Sequence, residues 1–272
     1  MEEKTMKKRS LVAALAMLMV SAIVLTSSTY AWFATGTTAK VSNISAKVAN
    51  TQGNIQISAN GTDYSTSLDY SDFDGIAGNF RPGNFSPVSF NPDAKSFIAG
   101  SIKQDDTTGS PTLGKFVFTP TAVSDGSSYY VMLNVYLKSD VDCNVVITPN
   151  MTGSTYDFIY SALYDSTGNY KIFNKTSSRG YTPVVSAIAG VDTNGNAIMD
   201  ANDTLADGTT NDYTGLAASA VSCSAEGLTV ALTKGVPATI TLYVWAEGND
   251  LACSGAVPEA ACGVVLDFAK QG

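Results

Sequence analysis

The chain has 272 residues, a formal net charge of −8 and no histidine. The acidic balance argues against nucleic acid and anionic membrane surfaces as partners, and the missing imidazole excludes Ser-His-Asp and Cys-His triads, a histidine general base and the HExxH zinc site. Carboxylate, lysine and tyrosine chemistry stay open, with a two-carboxylate hydrolase as the main surviving enzyme class; spacing alone singles out no such pair, and the acids read as solvated surface.

A basic cluster, Lys7, Lys8 and Arg9, precedes an apolar run from Leu11 to Leu25, followed by Ser27, Ser28 and Thr29. A positive segment, an apolar stretch and small residues three before and one before a scissile bond describe a secretory signal peptide, forming a hydrophobic helix over 1–31. Thr29 and Ala31 occupy those two positions, so cleavage between Ala31 and Trp32 by a signal peptidase is expected. A retained anchor would need about 20 mostly apolar residues, and here the run turns polar at Ser27 with no basic stop-transfer cluster after it. The processed chain, 32–272, is therefore expected to be exported, with no stable membrane anchor and a charge of −10.

Beyond Trp32 the pattern is β throughout. Val41–Val48 and Asn54–Ser58 are early strand candidates. Residues 61–114 follow, rich in Asp, Asn, Gly and aromatics without sustained alternation, and read as an ordered insertion because so many aromatics argue against disorder. Lys115–Thr119 is a further candidate. Tyr129–Lys138 alternates cleanly, with Tyr129, Val131, Leu133, Val135 and Leu137 on one face. Asn144–Thr148, Phe158–Tyr164 and Tyr170–Phe173 continue the meander, although the apolar run of Phe158–Tyr164 also fits a helical turn, and 186–220 is a second, polar insertion. Leu228–Leu232 and Ala238–Trp245 come next, the latter with Ala238, Ile240, Leu242 and Val244 on one face, and Gly263–Phe268 closes the chain. Trp245 falls on the opposite face, which makes it either part of a second core layer or an exposed stacking platform. The sum is an all-β, antiparallel β-sandwich in one domain with two long insertions.

Within the second insertion, Asp192, Asn194, Asn196, Asp200 and Asp203 stand at positions 1, 3, 5, 9 and 12 of a calcium-loop spacing, with the carbonyl of Ile198 at position 7. Calcium takes six to eight hard oxygen ligands, which this spacing wraps around one ion. Ala197 replaces the usual turn glycine and only three of the five side chains are charged, so the expected affinity is modest. A plain surface loop of the same composition is the competing reading. The four cysteines permit disulfides in an exported chain. Cys253 and Cys262 flank a Gly-Pro-containing segment that can fold back on itself, which favours that pair and leaves Cys143 with Cys223.

Several segments resemble one family. The Ser-Thr-Tyr-Ala-Trp-Phe ending of the signal, the strand Asn43–Val48, and the strand Thr241–Trp245 followed by Glu247-Gly248-Asn249-Asp250 and Cys253 are similar to TasA and camelysin-like exported proteins of Gram-positive bacteria. The resemblance implies a dedicated signal peptidase, a jelly-roll-like sandwich and service as an extracellular matrix or biofilm fibre subunit. Camelysin-like members are described as proteases, an activity for which this chain offers no histidine or zinc motif.

These readings together make the expected protein a non-catalytic homopolymer at the cell surface or in the extracellular matrix. Trp32, Phe33, Ile44, Ala46 and Val48 would mediate assembly by adding a strand to a neighbour's open edge. The alternatives are a calcium-braced adhesin or carbohydrate-binding module, and a carboxylate-dependent hydrolase.

Overall fold

Alternation in the sequence becomes two-sided burial in the fold. The computed structural model describes residues 44–48, 55–104, 106–110, 116–118, 120–123, 128–176, 179–184, 188–190, 220–250, 252–253 and 255–271. The signal segment with the Ala31–Trp32 bond, Phe33, and the calcium-loop residues Asp192, Asn194, Asn196, Ile198, Asp200 and Asp203 lie outside the described residues.

Strands make up about half of the described residues, and the helical pieces among them are two short 3-10 turns, at Tyr70–Phe73 and Glu259–Ala261. The described chain begins with β1 (Ile44–Val48), β2 (Gln56–Ser58) and β3 (Ser67–Asp69), then the first of these turns. Short pieces follow: β4 (Asn84–Phe85), β5 (Val88–Asn91), β6 (Ser96–Ala99), β7 (Ile102–Gln104), β8 (Phe116–Phe118) and β9 (Thr121–Ala122). The longer strands β10 (Tyr130–Lys138), β11 (Cys143–Asn150), β12 (Ile159–Asp165) and β13 (Tyr170–Asn174) come next, and then the brief β14 (Gly180–Tyr181), β15 (Ile188–Gly190) and β16 (Val221–Ser222). The chain closes with β17 (Leu228–Leu232), β18 (Ala238–Ala246), β19 (Val257–Pro258) and β20 (Val264–Gln271).

Two five-stranded sheets carry the architecture, one in the order β17-β11-β20-β1-β3 and the other β13-β12-β18-β10-β2. Pairing is antiparallel except between β1 and β20, which run parallel from Ile44 opposite Val264 to Val48 opposite Phe268. One apolar core fills the space they share. The first sheet contributes Ile44, Val145, Ile147, Val230, Leu266 and Phe268; the second contributes Val131, Leu133, Val135, Leu163, Ile240 and Leu242. Successive side chains point to opposite faces of a strand, so β10, β18 and β17 bury every second residue against that core.

The second sheet is buried on its other face too. Tyr160, Ala162 and Tyr164 of β12, Ile172 of β13, and Tyr243 and Trp245 of β18 form a separate aromatic core with Val88, Phe90, Phe97 and Ala99. Trp245 is 0% exposed, with Phe90 4.9 Å away edge-on and Tyr160 stacked at 5.8 Å. It is a second-layer core residue, and the exposed-platform alternative does not hold. Phe97 stacks on Phe90 at 4.3 Å and on Tyr130 at 3.9 Å. Buried tyrosine hydroxyls reach backbone carbonyls, Tyr164 donating to Pro92 O at 2.8 Å and Tyr181 to Phe90 O at 2.9 Å.

The stretch from 61 to 114 is thus more than an insertion. It supplies β3 to the first sheet and, through β5 and β6, which β9 extends, the layer over the aromatic face of the second. Its strands are two to four residues long, too short for alternation to register as a pattern. Of 186–220, Ile188–Gly190 pairs with β8 and Ala220 is described; the remainder lies outside the described residues.

Candidate functional site

β1 sits in a seat cut into the first sheet. It is flanked by β20 along all five residues and by β3 from Ser45 opposite Asp69 to Lys47 opposite Ser67. Ile44 and Ala46 point into the main core at 2% and 3% exposure, while Ser45 is half-buried. Removing this strand would expose the facing hydrogen-bonding edges of two neighbours as well as a slot in the core. An ordinary N-terminal edge strand leaves only one open edge. Of the expected assembly residues, the structure places Ile44, Ala46 and Val48 in this seat, with Val48 paired to Phe268; Trp32 and Phe33 lie outside the described residues.

A second constellation was not singled out for chemistry by the sequence reading. After β18 the chain turns through Glu247-Gly248-Asn249-Asp250, whose three polar side chains are all buried. The Glu247 carboxylate accepts from Trp245 Nε1 at 3.0 Å, from the Asn249 N–H at 3.1 Å and from the Phe90 N–H at 3.5 Å. Gly248 donates its N–H to Val88 O at 2.8 Å, and a Cβ at this position would collide with the Gly100 carbonyl, so only glycine fits. Asn249 Nδ2 donates to Thr182 O at 2.8 Å, and Arg179 Nη2 lies 2.5 Å from Asp250 Oδ2 with Asp157 at 3.5 Å on its other nitrogen. Lys175, 2.7 Å from Asp157, holds that carboxyl below its ordinary range. The turn therefore fastens three pieces of chain: β18, β5 and the 179–182 segment. The signal for it was an acid in step with Tyr243 and Trp245, on a face that would otherwise be wholly aromatic.

Complete burial pushes the Glu247 carboxyl up to about 7 from an ordinary 4.5, against the lowering effect of hydrogen bonds from Ser89, Trp245, Asn249 and Phe90. A folded-state value above the unfolded one means that the folded chain holds the proton more tightly. Its stabilising contribution is then complete below about pH 4.5 and is lost as pH rises through about 7. A rise of this size corresponds to roughly 3 kcal/mol. Urea midpoints are expected to fall between pH 4.5 and 7.5 in the wild type and to flatten in Glu247→Gln; equal slopes in both would show that other groups set the dependence.

Glu247 is walled off from solvent and committed to four donors, and Asp250 is committed to Arg179, so this pair of acids is arranged as a clasp between layers. The cysteines correct an expectation. Cys143, Cys223, Cys253 and Cys262 are all free thiols. Cys143 packs against the main core and Cys223 against the aromatic core, on opposite sides of the second sheet, whereas a bridge needs Cα atoms within about 7 Å. Cys253 and Cys262 are both buried in the main core without a bridge between them, and the segment that joins them pairs β19 with β4. Burial raises the thiols of Cys223, Cys253 and Cys262, which makes them poor nucleophiles. Among the described residues there is no group of three or more Cys, Asp or Glu able to hold a metal, and no helix is long and apolar enough to cross a membrane. Comparisons with protein-family models, with curated proteins and with solved structures find no match to this chain.

Proposed function

We propose that this protein is an exported, non-catalytic structural subunit that self-associates into fibres or matrix outside the cell, with exchange of β1 between subunits as the linking step. The carrying observation is the position of β1: the first described strand of the chain fills an interior slot between the last strand and β3. Such a strand can leave its own sheet and be replaced by the identical strand of another copy with every hydrogen bond and core contact restored, the condition for low-cost exchange. The reading carries with it a jelly-roll-like sandwich, supported by two five-stranded sheets sharing one core, and a signal peptide over 1–31, supported by its charge and apolar pattern. The absence of histidine and the enclosure of Glu247 support a role without catalysis.

The test is a cysteine trap at Ser45 and Asp69, which face each other across β1 and β3. A chain carrying both Ser45→Cys and Asp69→Cys, assembled and then oxidised, is expected to give a covalent ladder on non-reducing gels. Monomers alone, crosslinked within the chain, would eliminate exchange. A product that stops at the dimer would mean that exchange is reciprocal and closed, and would remove it as the link of a fibre. Each single variant controls for reaction with the native thiols.

A further inference from the structure

A cleft of about 450 Å3 opens beside β2 at the end of the sandwich where β10 turns into β11. That volume lies in the ~300–1,000 Å3 range of small-molecule sites. Ile55, 2% exposed, forms its apolar floor, and Gln56, Thr66, Lys138, Asp140 and Lys234 present polar groups around it. The walls are pinned together. Gly235 donates its N–H to Ser139 O at 2.8 Å, and Lys234 its backbone N–H to Asp142 Oδ1 at 2.7 Å, so the turn after β17 is held against the turn after β10. On the opposite wall, Ile57 and Ser65 exchange both backbone hydrogen bonds, at 2.8 and 2.9 Å. These bonds fix the backbones that carry the two lysines on one cavity.

Neither lysine makes an ion pair among the described residues; the only charged-group contact of Lys138 is with the Tyr64 ring, 5.5 Å away. Two such ammonium groups on one cleft are conspicuous in a chain of net charge −8. They form a local positive site that attracts an anion against the overall field. Gln56 and Thr66 in the same cleft carry neutral polar groups that suit hydroxyls. A sugar acid brings one carboxylate for the lysines and several hydroxyls for these neutral groups, which inorganic phosphate does not.

We propose that this cleft binds a uronate residue of an acidic polysaccharide, its carboxylate between Lys138 and Lys234 and its ring hydroxyls on Thr66 and Gln56. The site is complete within one chain, so binding does not depend on self-association, and failure of either reading leaves the other standing. Calorimetric titration of the purified protein with tetragalacturonate, neutral galactotetraose and inorganic phosphate tests it. Tetragalacturonate is expected to bind saturably, and at least tenfold more weakly to Lys138→Gln/Lys234→Gln than to wild type or to the control Lys103→Gln/Lys171→Gln. Absence of binding, equal affinity for the neutral sugar or for phosphate, or an equal loss in the control pair would each overturn the proposal. A thermal melt checks the fold of the double variant; should it fail to fold, the single Lys234→Gln, on an exposed turn, is read in its place with the same criteria.

Discussion

Trp245→Ala is expected to lower the unfolding free energy by about 3–5 kcal/mol, the range for truncating a large buried aromatic to alanine. The indole has no solvent-exposed surface and meets Phe90, Phe97, Tyr160 and Tyr181. Its removal also takes from Glu247 the Nε1 donor at 3.0 Å, leaving a buried carboxylate short of a partner. For a domain of this size the loss corresponds to roughly 10–15 °C in melting temperature. Trp245→Phe keeps most of the ring packing and loses the donor, so it should fall between wild type and Trp245→Ala. Differential scanning calorimetry at pH 7 measures all three. A drop below about 1 kcal/mol for the alanine variant would mean that the layer over the second sheet contributes little to the cooperative unit.

Truncation through Val48 is expected to have the other large effect, abolishing cooperative unfolding of the isolated chain at 25 °C. Ile44 alone contributes about 1.5–3 kcal/mol by burial. Losing β1 also strips the hydrogen-bonding partners from facing edges of β20 and β3, in a domain whose total stability is of order 5–15 kcal/mol. A synthetic peptide spanning residues 41–50 should restore the cooperative melt, and the same peptide with Ile44→Asp should not. Circular dichroism melting with and without peptide reads both outcomes. A truncated chain that melts like the intact protein would show that β1 is dispensable. One that is unfolded and that no peptide rescues would remove the basis for exchange between subunits.

Where one face of a strand packs on a core and the pattern is long enough to register, the sequence was sufficient. Leu228–Leu232 was expected as a strand and is β17; Tyr129–Lys138 and Ala238–Trp245 match β10 and β18 to within one residue. Phe158–Tyr164 was harder to read because β12 is buried on both faces and so has no polar side to alternate with. The side of Trp245 followed from period-two geometry, but its burial did not: nothing in 238–246 says that a further layer lies over that face.

That layer illustrates what chain order hides. Its pieces, β5, β6 and β9, are two to four residues long and are ordered by tyrosine hydroxyls and aromatic rings donated from strands far along the chain. Two of the partners of Glu247, Ser89 and Phe90, are similarly remote, Phe90 lying 157 positions away. The expected Cys143–Cys223 pairing failed for the same reason, since spacing in sequence carries no information about which face of a sheet a thiol occupies.

By itself, then, the sequence determined the all-β class, most strand positions, the exclusion of histidine chemistry and the acidic character, because these depend on composition and on periods of two residues. Only the tertiary structure decided that β1 lies between β20 and β3, that Glu247 is enclosed, and that Lys138 and Lys234 share one cleft. Each of these brings together groups from separate stretches of chain, and that convergence depends on long-range packing and strand pairing that no local pattern encodes.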